Sequence, residues 1–236
     1  MTQSFHSGPD PFFPYLYETD FFPFSNPSSW KDDIIAVGGN LSPGMLLSAY
    51  EQGIFPWYGP YDPILWQSPD PRFLIFPEKL HVSSSMRKIL KNRVFEITFN
   101  KDFEGVINGC AEIYRPDQDG TWISKDIIEA YIELHRLGFA HSAEAWHEGI
   151  LAGGCYGVLL GKVFVGESMF ARKANASKAA FLTLAEKLFK DGLSFIDCQV
   201  YTKHLASLGG EELPRKEFLA LLEENQVSRT QLVISL

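Results

Sequence analysis

Residues 153–200 change their hydrophobic period twice. Two apolar runs rich in β-formers, GGCYGVLL and VFVGESMF, meet at Gly161 and Lys162, the pattern of a hairpin. Residues 175–192 then set Ala180, Leu184 and Leu188 at helical spacing, with Phe181 and Ala185 beside them. That spacing predicts a helix with one buried face. Asn175 or Ser177 can cap its start, and Gly192 can end it in a left-handed conformation. Residues 194–200, SFIDCQV, return to period two and predict a short strand.

Upstream, IIAVGGNLSP reads as a strand, a Gly–Gly turn and a helix start, with Ser42 at the N-cap and Pro43 at the first helical position. Leu46, Ala49 and Tyr50 form that helix's apolar side, and Gly53 ends it. Residues 65–72, LWQSPDPR, read as a rigid Pro-bearing connector. The domain boundary is placed there: a smaller N-terminal domain at 1–72 and a larger domain at 73–236. Residues 1–29 are dense in Pro, Phe and Tyr. Repeated Pro prevents a helix, and so many aromatics are poorly placed in water, so an extended arm laid on the domain surface is expected. Further helices are expected at 83–91, 102–113, 124–137, 203–208 and from Pro214, and strands at 94–100 and from Ala140. Strand, strand, helix, strand is the core order of mixed-sheet α/β (α+β) domains of the N-acetyltransferase (GNAT-like) type. That is a fold-level analogy and does not fix the chemistry.

Composition narrows the class. The chain has 236 residues, 45% hydrophobic and 21% charged, ordinary values for a globular protein with one large or two smaller domains. No apolar run reaches the roughly 20 residues of a membrane span, and the N-terminus carries no secretory pattern. The three cysteines, Cys110, Cys155 and Cys198, are scattered. This predicts reduced thiols in a cytoplasmic protein without a metal site. A net charge of −8 argues against broad binding to nucleic acid, DNA included, and suits a cationic partner. One stretch reverses the charge: Lys79, Arg87, Lys88, Lys91 and Arg93 lie with His81, and Glu78 is the one acid nearby. On a helix such residues form a solvated face or a phosphate-binding patch.

Polar residues inside the apolar runs are the chemical candidates. On the closing strand Phe195, Asp197 and Gln199 share a face, while Ile196, Cys198 and Val200 share the other. Glu167 interrupts the hairpin's second strand in the same way. Buried carboxylates need partners: they satisfy Arg or backbone groups, or they face a reacting centre. Trp57 and Trp122 lie in loops, where an indole plugs a core or offers a stacking platform for a base. His141 and Ser142 are neighbours on a strand, point to opposite faces and form no triad. The junction FARKANASK has no glycine between Phe170 and Lys178, which disfavours a close backbone wrap on the pyrophosphate of coenzyme A.

The motifs GGNLSP, GIFPWY, LWQSPDPR, GTWI, GGCYGV, GESMF, NASK and IDCQV occur in this order. Together they closely resemble the leucyl/phenylalanyl-tRNA–protein transferase family, from about residue 35 to about 222. The resemblance implies transfer of Leu or Phe from Leu-tRNA or Phe-tRNA to proteins bearing N-terminal Arg or Lys, a tag that routes them to degradation (the N-end rule). No cofactor is implied beyond the aminoacyl-tRNA co-substrate. The resemblance places Trp57 and Trp122 at the 3′-terminal adenosine. It supports Cys155, Phe164, Phe181, Leu188 and Ile196 as an aminoacyl side-chain pocket, although each is also an ordinary core residue. It favours Arg87, Lys88, Lys91 and Arg93 as contacts for tRNA phosphates. Other members carry Met where this chain has Cys155, so a wider pocket is expected. For the chemistry, Asp197 is the candidate to take the amine's proton. Gln199 would orient it or bind the oxyanion, and Glu167 would hold the amine or the aminoacyl group. A monomer is expected. The alternatives are a small-molecule N-acetyltransferase and a non-catalytic module binding a tRNA 3′ end or a peptide N-terminus.

Overall fold

A computed structural model describes residues 7–113, 121–225 and 229. Its elements are β1 (Ile34–Val37), α1 (Pro43–Glu51), β2 (Phe55–Pro56), β3 (Leu65–Gln67), β4 (Arg72–Ile75), α2 (Ser84–Lys91), β5 (Glu96–Phe99), α3 (Phe103–Glu112), α4 (Lys125–Arg136), β6 (Ala140–His147), β7 (Ile150–Leu160), β8 (Val163–Ala171), α5 (Ala176–Lys190), β9 (Phe195–Asp197), α6 (Lys203–Ala206), β10 (Glu211–Leu213) and α7 (Arg215–Asn225). The expected mixed-sheet α/β architecture is present, and the hairpin turns at Gly161, whose φ is +54°.

The larger sheet has the order β10-β4-β9-β8-β7-β6-β5. All its pairs are antiparallel except β8 with β9. Alternation along the strands separates two cores. Tyr156, Val158, Val163 and Val165 face α3 and α4, while Cys155, Leu159 and Phe164 face α5. The first core continues through Leu46, Tyr50 and Trp66 of the N-terminal segment to Phe195 and Phe218. The smaller, three-stranded sheet therefore packs against the large one.

The segment 65–72 differs from its expected role as a connector. Leu65–Gln67 is the central strand of the order β1-β3-β2, and Trp66 is fully buried. The prolines lie just beyond it, where they remove no ladder donor. The short strands β2, β4 and β10 were not expected either. Two to four residues carry too little period to read.

The aromatic arm lies along α1. Backbone N–H groups of Leu16, Phe22 and Phe24 donate to Ser42 Oγ, Ser48 Oγ and Gln52 Oε1. Ser42 occupies the N-cap position as expected, but its hydroxyl serves the arm and makes no side-chain cap bond. Gly44 allows the close approach: a Cβ there would lie 2.2 Å from Tyr17 O. Phe24 is buried and Phe13, Leu16 and Phe22 pack on the core, while Phe12, Tyr15, Tyr17 and Phe21 stay exposed. Asn175 sits at the cap position of α5 in a left-handed conformation, φ +71°, without a side-chain cap bond. The first part of the loop before Trp122 and most of the tail after α7 lie outside the described residues.

Candidate active site

β8 and β9 run side by side only from Val163–Phe195 to Val165–Asp197. Beyond that register they separate, and a cavity of about 340 Å³ opens at the split. Gly166, Glu167, Ser168 and Met169 line it from β8, and Cys198, Gln199 and Val200 line it from the chain leaving β9.

Two local irregularities aim the polar groups. Gly157 pairs with Gly166 while Tyr156 pairs with Ser168, so Glu167 is the extra residue of a bulge. A bulge frees one residue from the ladder and re-aims its side chain. Across the gap, Gln199 has φ +65°, which breaks the alternation expected through residue 199. Its amide therefore reaches Glu167: Gln199 Nε2 donates to Glu167 Oε1 at 2.9 Å.

Glu167 is almost fully buried. Tyr50 Oη donates to Oε1 at 2.8 Å and Tyr131 Oη donates to Oε2 at 3.1 Å. The two hydroxyls also contact each other. Burial raises the Glu167 carboxyl to about 7; the hydrogen bonds from Tyr50, Tyr131 and Gln199 oppose that rise, and the Asp197 charge adds to it. Both phenols are held well above their ordinary range, first by burial and then by the neighbouring Glu167. At neutral pH they are donors and Glu167 is poised between its two forms.

The other carboxylate is engaged elsewhere, which corrects the expectation that Asp197 takes the amine's proton. Arg72 holds it in a bidentate pair, Nε to Oδ1 at 2.8 Å and Nη2 to Oδ2 at 2.7 Å, with both side chains buried. Arg72 also lies against the rings of Phe55 and Phe218. Asp197 Oδ1 accepts the Gln199 backbone N–H at 2.9 Å, so it fixes the turn that carries Gln199. Asp197 does not line the cavity. Its oxygens are taken up by the guanidinium and the backbone amide, away from the space a substrate would occupy.

Trp57 and Trp122 both line the cavity. Trp57 is 36% exposed, available for stacking rather than used up in the core. Cys155, Phe164 and Phe181 line the apolar part with Met169 and Cys198. Leu188 and Ile196 do not, which corrects their placement in the side-chain pocket. They are fully buried in the core between α5 and the sheet, because their positions face the helix–sheet seam. Burial pushes both cavity thiols, Cys155 and Cys198, upward, so they act as small apolar groups. Arg87, Lys88, Lys91 and Arg93 are exposed on and just after α2, and none lines the cavity. None has an ion-pair partner among the described residues.

The sequence reading missed three participants. Tyr50 and Tyr131 look like apolar helix positions, and nothing in their spacing marks a hydroxyl aimed at a carboxylate. Arg72 did leave a signal. It is a lone charge at the head of the run RFLIF, and a charge on a buried strand needs a partner.

A family model described as leucyl/phenylalanyl-tRNA protein transferase matches residues 74–223, and a second, for the N-terminal domain of the same proteins, matches residues 39–70. The chain belongs to this family. It is 54% identical to a leucyl/phenylalanyl-tRNA–protein transferase of Syntrophobacter fumaroxidans over 83% of both chains. It is 50% identical to one of Flavobacterium johnsoniae over 89% of this chain and 98% of that one. Among solved structures it is similar to a GCN5-related N-acetyltransferase from Kribbella flavida, at 11% identity and a TM-score of 0.36, covering 74% of this chain and 61% of that one. The fold described above stands on its own strand order. As a member of this family the chain is an aminoacyltransferase acting with aminoacyl-tRNA and protein substrates. Among the described residues no helix is long and apolar enough to cross a membrane.

Proposed function

We propose that this chain transfers Leu or Phe from Leu-tRNA or Phe-tRNA to the α-amine of proteins beginning with Arg or Lys, tagging them for degradation. The observation that carries the reading is the single cavity in which Glu167, Gln199 and the two indoles meet an apolar wall. Trp57 and Trp122 stack on the terminal adenosine. Cys155, Phe164 and Phe181 receive the aminoacyl side chain. Arg87, Lys88, Lys91 and Arg93 meet tRNA phosphates outside the cavity.

Glu167 takes the role first given to Asp197. The acceptor arrives as an ammonium and gives one proton to the Glu167 carboxylate. The freed nitrogen attacks the ester carbonyl, forming the C–N bond. The carbon–oxygen bond to the tRNA then breaks, and the ribose oxygen leaves with a proton from that nitrogen. Glu167 returns its proton to solvent. Gln199 donates one N–H to Glu167 and keeps a second for the developing oxyanion. Asp197 and Arg72 position Gln199. The ester is already activated, so the reaction needs no cofactor beyond the aminoacyl-tRNA, and positioning supplies much of the rate. The protein works as a cytoplasmic monomer.

The test offers radiolabelled Leu-tRNA or Phe-tRNA to peptides that differ only in their first residue, Arg, Lys or Ala. Label should move to the Arg and Lys peptides. Equal labelling of the Ala peptide would refute the acceptor assignment, and absence of transfer from either tRNA would refute the donor assignment.

A further inference from the structure

Glu167 extends from the large sheet, yet two of the three donors on its carboxylate come from helices outside the strand–strand–helix–strand core. Tyr50 belongs to α1 of the N-terminal segment and Tyr131 to α4. Both side chains are buried, and neither lines the cavity. They therefore act through Glu167 and do not touch substrate.

A carboxylate offers about four lone-pair sites. Oε1 accepts from Tyr50 Oη at 2.8 Å and Gln199 Nε2 at 2.9 Å, and Oε2 accepts from Tyr131 Oη at 3.1 Å. We infer that Tyr50 and Tyr131 are positioning residues for the transfer reaction: with Gln199 they fill three of these sites and leave one, on Oε2, for the acceptor's proton. The two tyrosine hydroxyls also lie in contact with each other. Edge-on packing of Tyr131 against Tyr156, with ring centroids 5.7 Å apart, fixes the pair from β7. Catalysis on the large sheet thus depends on a side chain delivered by the smaller unit.

The same donors set when Glu167 is ready. Hydrogen bonds to the ionised form favour it, and burial opposes it. The other groups facing this carboxyl are Asp197, already paired with Arg72, and Tyr156 behind Tyr131. Removing either phenol removes a donor from the charged form, so Glu167 holds its proton to higher pH.

The test is Tyr50→Phe and Tyr131→Phe, each with single-turnover transfer measured across pH against the wild type on the same peptide. The acceptor α-amine titrates nearby, and the shared peptide cancels its contribution. The acid limb should move up by about one pH unit in each variant, about a tenfold lower rate on that limb. The rate should recover toward wild type above the limb, and tRNA affinity should be unchanged. A uniform loss at every pH, or an acid limb that stays in place, would overturn the inference; so would a loss confined to KM. If one variant does not fold, the other decides.

The inference rests on Glu167 as the proton acceptor, and one readout needs no turnover. Infrared titration of the carboxyl band that Glu167→Gln abolishes should show the same upward displacement in both tyrosine variants. No transfer by the wild type with a displaced band defeats the proposed reaction and leaves the tyrosines' effect standing. Transfer with an undisplaced band defeats the tyrosines alone.

Discussion

Glu167→Gln tests the energetics of the site without substrate. In the folded protein the Glu167 carboxyl sits at about 7, against an ordinary 4.5. The folded state therefore binds more protons than the unfolded state between those values. Stability linked to this group is fully present below about pH 4.5 and is lost as pH rises through about 7. At about 1.4 kcal/mol per pH unit the full cost is about 3 kcal/mol, of which about 2.5 kcal/mol falls between pH 5 and pH 8. Gln keeps the shape, accepts from Tyr50 and Gln199 with its oxygen and cannot ionise. Urea unfolding followed by Trp fluorescence should make the variant gain about 2–3 kcal/mol on the wild type from pH 5 to pH 8. His141, lowered to about 4 mainly by burial, gives a slope of the opposite sign, but it is present in both proteins and cancels. Equal differences at pH 5 and pH 8 would refute the reading of Glu167 as a buried, poised acid. The stabilised variant should also lose transfer, since it has no carboxylate to take the proton.

Asp197→Ala leaves the buried Arg72 guanidinium without its partner and should destabilise the fold by about 3–5 kcal/mol in the same urea assay; an unchanged midpoint would contradict the pairing. Trp57→Ala should weaken binding of a leucyl-adenosine fragment by about 1–3 kcal/mol, measured by calorimetry, with little change in the melting point. Lys88→Glu combined with Lys91→Glu should weaken tRNA binding and flatten the plot of log K against log salt by about 1.5, near 0.7–0.9 per lost phosphate contact. An unchanged slope removes that patch from the tRNA path.

Much of the fold is written locally. The 3.6-residue period at Ala180, Leu184 and Leu188, the turn at Gly161 and the cap residues Ser83, Asp102 and Ser124 each act within a few positions, so one stretch of chain suffices to specify them. Eight ordered motifs likewise placed the chain in its family before any coordinates. What the tertiary structure alone decided is which carboxylate lines the cavity. Asp197 and Glu167 are equivalent in sequence, each an acid breaking an apolar strand. Their difference comes from residues far away along the chain: Arg72 meets one, Tyr50 and Tyr131 meet the other. A proton's preference depends on burial and on charges a few ångströms away, and those neighbours are assembled only when separate elements pack. The bulge at Glu167 and the left-handed turn at Gln199 belong to the same class. They arise from the register between strands, and a single strand read alone contains no record of it.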